Sequence, residues 1–431
     1  MNRRSFSQAR GLSALSHRNY RLFFGGQLIS LIGTWMTAVA QSWLILQLTG
    51  NPFDLGLLTV AQFGPVLILG LFGGLIADGL PKRRTMYVTQ TVAMAVSFLL
   101  FVLAATHTVQ VWHVFVLAFV MGVRNSVDMP TRQAFAVEMV GREDVGNAVA
   151  LNSAMFNGAR VIGPAIAGLV IGAFGVSLAF LIDALSFLAV LLGLFLMTEA
   201  DLRPAPRFVR PASIGAVFSN LADGLRYVRR TGLVLLSISI IGVVATFGIN
   251  FTILIPPLAA NVLHVGPSGY GFLMAASGLG SVVAALAIAF GGTRASRMLI
   301  GAIVLGIAEI LIGGIANYAV DLVLMFAAGA GAISMMATAN TVIQLQVPDE
   351  LRGRVMSVYT TVFAGTNPIG GLALGALAAN AGAPAAIAFG GAVSLVAALI
   401  GVAWYRRLPR VPAGNLVMAA RPGPPRVPAV D

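Results

Sequence analysis

Long apolar runs, each closed by a short polar stretch, recur along the whole chain. A run of about 20 such residues is what a helix needs to cross the roughly 30 Å hydrocarbon core of a bilayer. Bounded by charge, glycine or proline, twelve segments predict membrane helices. The first six cover 22 to 48, 53 to 77, 85 to 106, 111 to 139, 147 to 173 and 176 to 197. The second six cover 233 to 262, 269 to 290, 298 to 317, 320 to 347, 354 to 379 and 384 to 404. The chain thus divides into a tail (1–21), a six-helix bundle (22–197), a polar connection (198–232), a second bundle (233–404) and a tail (405–431) expected to be disordered. Within the connection, Phe218, Leu221, Leu225 and Val228 recur at helical spacing opposite Arg226, Arg229 and Arg230. Such an amphipathic helix either lies on the inner membrane surface or serves as a solvated tether.

Composition agrees with the pattern. Only 10% of the residues are charged and 58% are hydrophobic, against about 25% charge in a soluble domain. The net charge of +12 raises the question of nucleic acid, but no soluble domain offers a basic face, so topology must account for it. All but two of the 27 basic residues fall in the tails or on alternate sides of a twelve-helix layout, which predicts both termini in the cytoplasm. The two exceptions are Arg124 and Arg160. Cysteine is absent, which excludes disulfides and thiolate chemistry, and His17, His107, His113 and His264 have no metal-ligand spacing. The apolar run after Arg21 is too long for a signal-peptide core of about 7–15 residues, and no A-x-A-like cleavage site follows it closely.

Displacing the chain by 207 residues lays Val140 on Val347, Glu143 on Glu350, Gly146 on Gly353, Phe156 on Phe363 and Gly158 on Gly365. Gly163, Gly168 and Gly175 then fall on Gly370, Gly375 and Gly382. Two parallel repeats of this kind suit a transporter that rocks one bundle against the other. Gly158, Gly163 and Gly168, with Pro164 between them, remove side-chain bulk from the fifth segment, either to let a neighbour approach and the helix bend or as generic small-residue packing.

Over residues 15 to 405 the chain resembles the major facilitator superfamily. Gly74, Asp78, Lys82, Arg83 and Arg84 resemble its loop signature, with Gly79 and Pro81 as departures. Gly158 to Gly168 resembles the Gly-Pro motif of its antiporters. Pro130 to Phe135, Asn147 to Ser153 and Ala184 to Phe187 resemble the subfamily of enterobactin-type siderophore exporters and macrolide-efflux proteins. Ala118 stands where the superfamily carries an arginine. The resemblance implies that helices 1, 4, 7 and 10 line the path, and that helices 3, 6, 9 and 12 are peripheral. It makes Asp78 a conformational latch toward the start of the eleventh helix near Gly353, or else an ion pair with its own basic neighbours.

Charge inside the membrane is costly and marks candidate sites. Arg124, Asp128 and Arg132 fall at i, i+4 and i+8 on one helical face, so Asp128 either holds an exchangeable proton or is a permanently ionised pair. Arg160 lies near mid-membrane, as a counter-ion for an anionic substrate or as the partner of Asp183. On the peripheral helices, Asp183 and Glu309 read as intrabundle groups, although Glu309, without an obvious partner, could carry a proton. Gln41 with Thr37 and Trp43, Asn250, and Asn340 with Gln344 are the remaining candidates for the cavity wall.

These readings converge on a bacterial inner-membrane exporter of a drug-like or siderophore-like molecule, working by alternating access and proton antiport. Uptake of a metabolite and a non-transporting receptor or scaffold are the alternatives. No nucleophile, base and orienting group converge, so an enzyme is not expected, and neither is a cofactor beyond the proton gradient. No nucleotide motif is present. The expected partners are the bilayer, protons and a small-molecule substrate, with neither nucleic acid nor nucleotide, for a monomer.

Overall fold

The computed structural model describes residues 12–203, 214–291 and 294–408, without the side chains of 71–78, 214, 216–218, 291 and 364. Helices α1 (Arg18–Thr49), α2 (Pro52–Gly79), α3 (Lys82–Ala105), α4 (Val111–Phe174) and α5 (Val176–Phe195) form the first half, followed by the connecting helix α6 (Ile214–Arg230). The second half contains α7 (Gly232–Phe247), α8 (Phe251–Pro257), α9 (Gly266–Gly291), α10 (Ser296–Ile315), α11 (Tyr318–Gln346), α12 (Asp349–Ala381) and α13 (Ala383–Arg407). Among the described residues eleven helical stretches are long and apolar enough to cross a membrane, so the chain is a multi-pass membrane protein.

The twelfth crossing is hidden in α4. At about 1.5 Å per residue its 64 residues would reach about 96 Å, three bilayer cores. The helix breaks at Gly141, where φ 74° and ψ 175° lie in a region that only glycine enters readily. Limb 111–140 and limb 142–174 therefore cross separately, the second returning along α1: Ala148 meets Tyr20, and Gly163 lies against Trp35. The break is braced from a distance. Arg203 donates its backbone N–H to Glu138 O at 2.8 Å, and its guanidinium reaches Val140 O at 3.4 Å. Beside it the turn Ser13–Ser16 docks on the start of the second limb. Ser13 donates to Asp144 at 2.6 Å, and His17 Nε2 lies 2.7 Å from the same carboxylate. The Ser13 hydroxyl first, and His17 after it, hold the Asp144 carboxyl below its ordinary value of 3.8.

Helices α7 and α8, expected as one segment, are separated at Gly248–Asn250, after which Pro256 and Pro257 and a π turn at Leu258–Val262 complete the crossing. Proline cannot supply the N–H that an unbroken ladder needs. Gly175 and Gly382, 207 residues apart, share one geometry, φ 82° and ψ 174° against φ 85° and ψ 157°, and each passes directly into the next helix.

Helix α6 does not lie free on the membrane. Tyr227 and Val228 pack with Val347, Val355 and Val358, Tyr227 donates to Gln346 O at 3.0 Å, and Arg354 pairs with Asp223 at 3.0 Å. Of its apolar stripe, Leu221 and Val228 are covered by the protein and Leu225 is exposed; the Phe218 side chain lies outside the described residues.

Candidate transport site

The two halves meet along α4 with α9 and along α2 with α12. These seams are closed by small residues, because backbones approach only where no side chain intervenes. A Cβ on Gly168 would stand 3.0 Å from Gly271 Cα, and one on Gly375 3.1 Å from Pro52 O. Ser268 donates across the first seam to Gly168 O at 3.0 Å. Trp43 stacks on Tyr270, centroids 6.1 Å apart and planes 19° apart. All of these contacts lie in the half of the molecule away from the chain termini. Toward the terminus-bearing side the seams loosen: a Cβ on Gly365 would meet only Leu67, at 3.8 Å. Among the described residues α4 has no substantial packing against α11 or α12, and Asn152, Ser153 and Phe156 of the second limb are exposed. Among the described residues the interface is sealed on one side and open on the other.

Asp128, wholly buried, is enclosed by donors. Arg124 lies at 3.1 Å and Arg132 at 3.2 Å; Thr89 donates at 2.7 Å and Gln90 at 2.9 Å. Arg124 also donates to Thr89 O at 3.0 Å, and Arg132 to Gln27 at 3.3 Å. The cluster thus ties α4 to α3 and α1, a structural arrangement in which the sequence supplied the three charges but not their neutral partners. Arg132, counted with the loop after the fourth segment, belongs to this helical cluster.

Of the two alternatives for Arg160, the pairing with Asp183 is not formed. Asp183 accepts from Thr37 and Ser97, each at 2.7 Å, inside the first bundle, because Gly33 leaves room for its carboxylate against α1. Thr37 is therefore committed to Asp183 and does not face the cavity. Arg160 instead lies over the Trp35 ring, 5.8 Å from its centroid. Trp43 belongs to the seal, not to an open wall. Gln41 accepts from Gln62 at 2.9 Å, and Asn250 donates to Thr246 O at 2.7 Å, bracing the break between α7 and α8. Gln344 donates to Asn340 at 2.8 Å, on an exposed stretch of α11.

Glu309, on α10, is buried against Gly391 of α13, and no hydrogen bond or cation among the described residues reaches its carboxylate. Asp321, near the start of α11, is wholly buried with neither carboxylate oxygen partnered. Sequence reasoning passed over Asp321 because an acid in the first turn after Asn317 looks like an ordinary helix start. Of the fifth-segment glycines, Gly163 receives α1 and Gly168 receives α9, whereas Gly158 has nothing within 4 Å and admits no neighbour. Pro164 O lies against Gly271. In the loop motif Arg83 pairs with Glu199 at 2.6 Å and donates to Leu194 O at 2.8 Å. Lys82 donates to Leu80 O at 3.3 Å, and Arg84 is exposed. Gly74 lies within α2, and the Asp78 carboxylate lies outside the described residues.

Comparison with known proteins places this architecture. The multidrug efflux pump Tap of Mycolicibacterium fortuitum is 29% identical over 381 residues, 86% of this chain and 91% of that one. The staphyloferrin A transporter of Staphylococcus aureus is 27% identical over 272 residues, 62% of this chain and 66% of the relative. The enterobactin exporter EntS of Shigella boydii is 25% identical over 370 residues, 84% and 86% of the two chains. Among solved structures, a mutant form of the nucleoside transporter NupG superposes with a TM-score of 0.71 at 13% identity, over 92% of this chain and 100% of that one. A bacterial homologue of the lysosomal transporter Spinster, inward-facing and unoccupied, gives 0.68 at 14% identity, over 90% and 96%. The family of transmembrane secretion effectors matches residues 9–430, and the chain belongs to that family, among the transporters of the major facilitator superfamily.

Proposed function

We propose that the protein exports a small organic molecule across the bacterial inner membrane by alternating access, in exchange for protons, as a monomer with both termini in the cytoplasm. The observation that carries the reading is the one-sided seal. Small-residue seams and the Trp43–Tyr270 stack close the half away from the termini, while the other half stays open. If the basic tails and loops mark the cytoplasm, the opening faces the interior, where an exported compound must load. Glu309 and Asp321 are buried acids with no cation among the described residues to hold them ionised, and burial of an unpaired charge is costly. They suit groups that exchange a proton when the molecule rocks. Export as the direction draws on the relatives named as efflux pumps and exporters.

The test uses everted inner-membrane vesicles energised to an acid interior, with compounds that accumulate in a deletion strain as substrates. Uptake that needs the protein and collapses with a protonophore is the expected result. Uptake insensitive to the protonophore overturns proton exchange, and transport confined to right-side-out vesicles overturns export.

A further inference from the structure

Three arginines lie inside the first bundle's spans, and two of them are spent on Asp128. Arg160 is the third, and no carboxylate among the described residues meets it.

Its direction follows from its neighbours. Successive residues of a helix are about 100° apart, so Arg160 lies about 60° from Gly163 and about 80° from Gly168 on the other side. Gly163 is the point where α1 packs, and Gly168 the point where α9 packs. Arg160 therefore occupies the wedge between the two halves. Its own carbonyl lies 2.8 Å from where a Cβ of Gly278 would stand, in the α4–α9 seam, at the inner edge of the seal. The guanidinium does not project into lipid.

Aromatic surface is built around it. Phe156, one turn nearer the open side, meets Trp35 edge-on, centroids 5.6 Å apart and planes at 68°, and Phe156 is exposed. A guanidinium lying over a ring keeps its N–H fork in its own plane, free to take two oxygens of one acid group. Within one turn the cleft between the halves thus offers a bidentate donor and an aromatic wall, and no acid among the described residues pairs with that donor.

We infer that the cavity takes an aromatic organic anion, its carboxylate or sulfonate held by Arg160 and its ring packed on Trp35 and Phe156. This rests on the transport reading only in treating the cavity as the substrate's path. The test is therefore equilibrium binding, which needs no flux. A wall of this kind disfavours an aromatic cation by the same charge that attracts the anion.

The purified full chain in nanodiscs is titrated with tritiated naphthalene-1-sulfonate, followed by scintillation proximity. Saturable binding is expected, with (naphthylmethyl)trimethylammonium and heptane-1-sulfonate each competing at least tenfold more weakly than unlabelled probe. Arg160→Gln should weaken binding by about 10- to 100-fold, the range of a lost charge-assisted hydrogen-bonding group. Arg160→Lys, which keeps the charge and loses the fork, should fall between, and Phe156→Leu should cost about fivefold. An unchanged thermal midpoint shows that the variants are folded; should Arg160→Gln not fold, Arg160→Lys and Phe156→Leu decide. Equal binding of the cation, unaltered affinity in the variants, or no saturable binding to the unmodified chain would each overturn the inference. Binding without proton-driven uptake in vesicles would remove the export reading and leave this one standing.

Discussion

The two halves of the molecule treat buried acids in opposite ways. In the first, Asp128 is surrounded by two arginines, a threonine and an amide, and Asp183 accepts from a threonine and a serine at one oxygen, its other oxygen having no partner among the described residues. In the second, Glu309 deep within α10 and Asp321, covered in the first turn of α11, have no partner among the described residues. Similar chemistry thus divides by role. A carboxylate held from several sides fixes helices to one another, whereas one held by nothing is free to change its protonation as its surroundings change.

The contrast is broken most directly at Asp128. Asp128→Asn leaves two cations uncompensated in the interior and should cost about 3–5 kcal/mol, read as a fall in the thermal midpoint in detergent. A variant that retains full stability while losing only coupling would return Asp128 to the proton-carrying role that its sequence position also allowed. Thr37→Val should be milder, about 1.5–3 kcal/mol for one hydrogen bond to a carboxylate. It should weaken Asp183 within the bundle without altering which compounds are transported, as competition assays would show.

In the second half the expectation reverses. Glu309→Gln and Asp321→Asn remove no partner and should leave the midpoint within about 0.5 kcal/mol, as for substitutions that break no interaction. Flux driven by a pH gradient should fall at least tenfold, equivalent to about 1.4 kcal/mol, while substrate exchange without a gradient persists. Loss of stability in place of coupling would end the comparison.

The smallest effect belongs to Asp144. Its folded-state value lies below the ordinary 3.8, so the docking it provides is complete above that value and is lost as the pH falls through the lowered one. Protease sensitivity of the N-terminal turn should therefore rise only in strong acid, and Asp144→Asn should abolish that dependence.

Much of this was legible in the chain itself. All twelve crossings follow from hydropathy, because a bilayer demands a long apolar run wherever it is crossed. The Arg124–Asp128–Arg132 face follows from helical spacing alone. What periodicity cannot convey is which distant residue fills a space. Thr89 and Gln90 reach Asp128 from another helix, Thr37 reaches Asp183, which was one of two candidate partners for Arg160, and Arg160 lies over the aromatic ring of Trp35. The helical stripe in the connection was visible too, but only the fold shows that Leu221 and Val228 of it pack against α12.

The brace at Gly141 also bears on how the protein is made. The residue that fixes the angle between the fourth and fifth crossings is Arg203, which leaves the ribosome only after the sixth crossing has been synthesised. Gly232, where the next crossing begins, follows 29 residues later, roughly 1.5–6 s at about 5–20 residues per second. Every group in this fastening lies within the first 203 residues, so the nascent first half can settle in the membrane without a contact from the second half, which is then assembled against it.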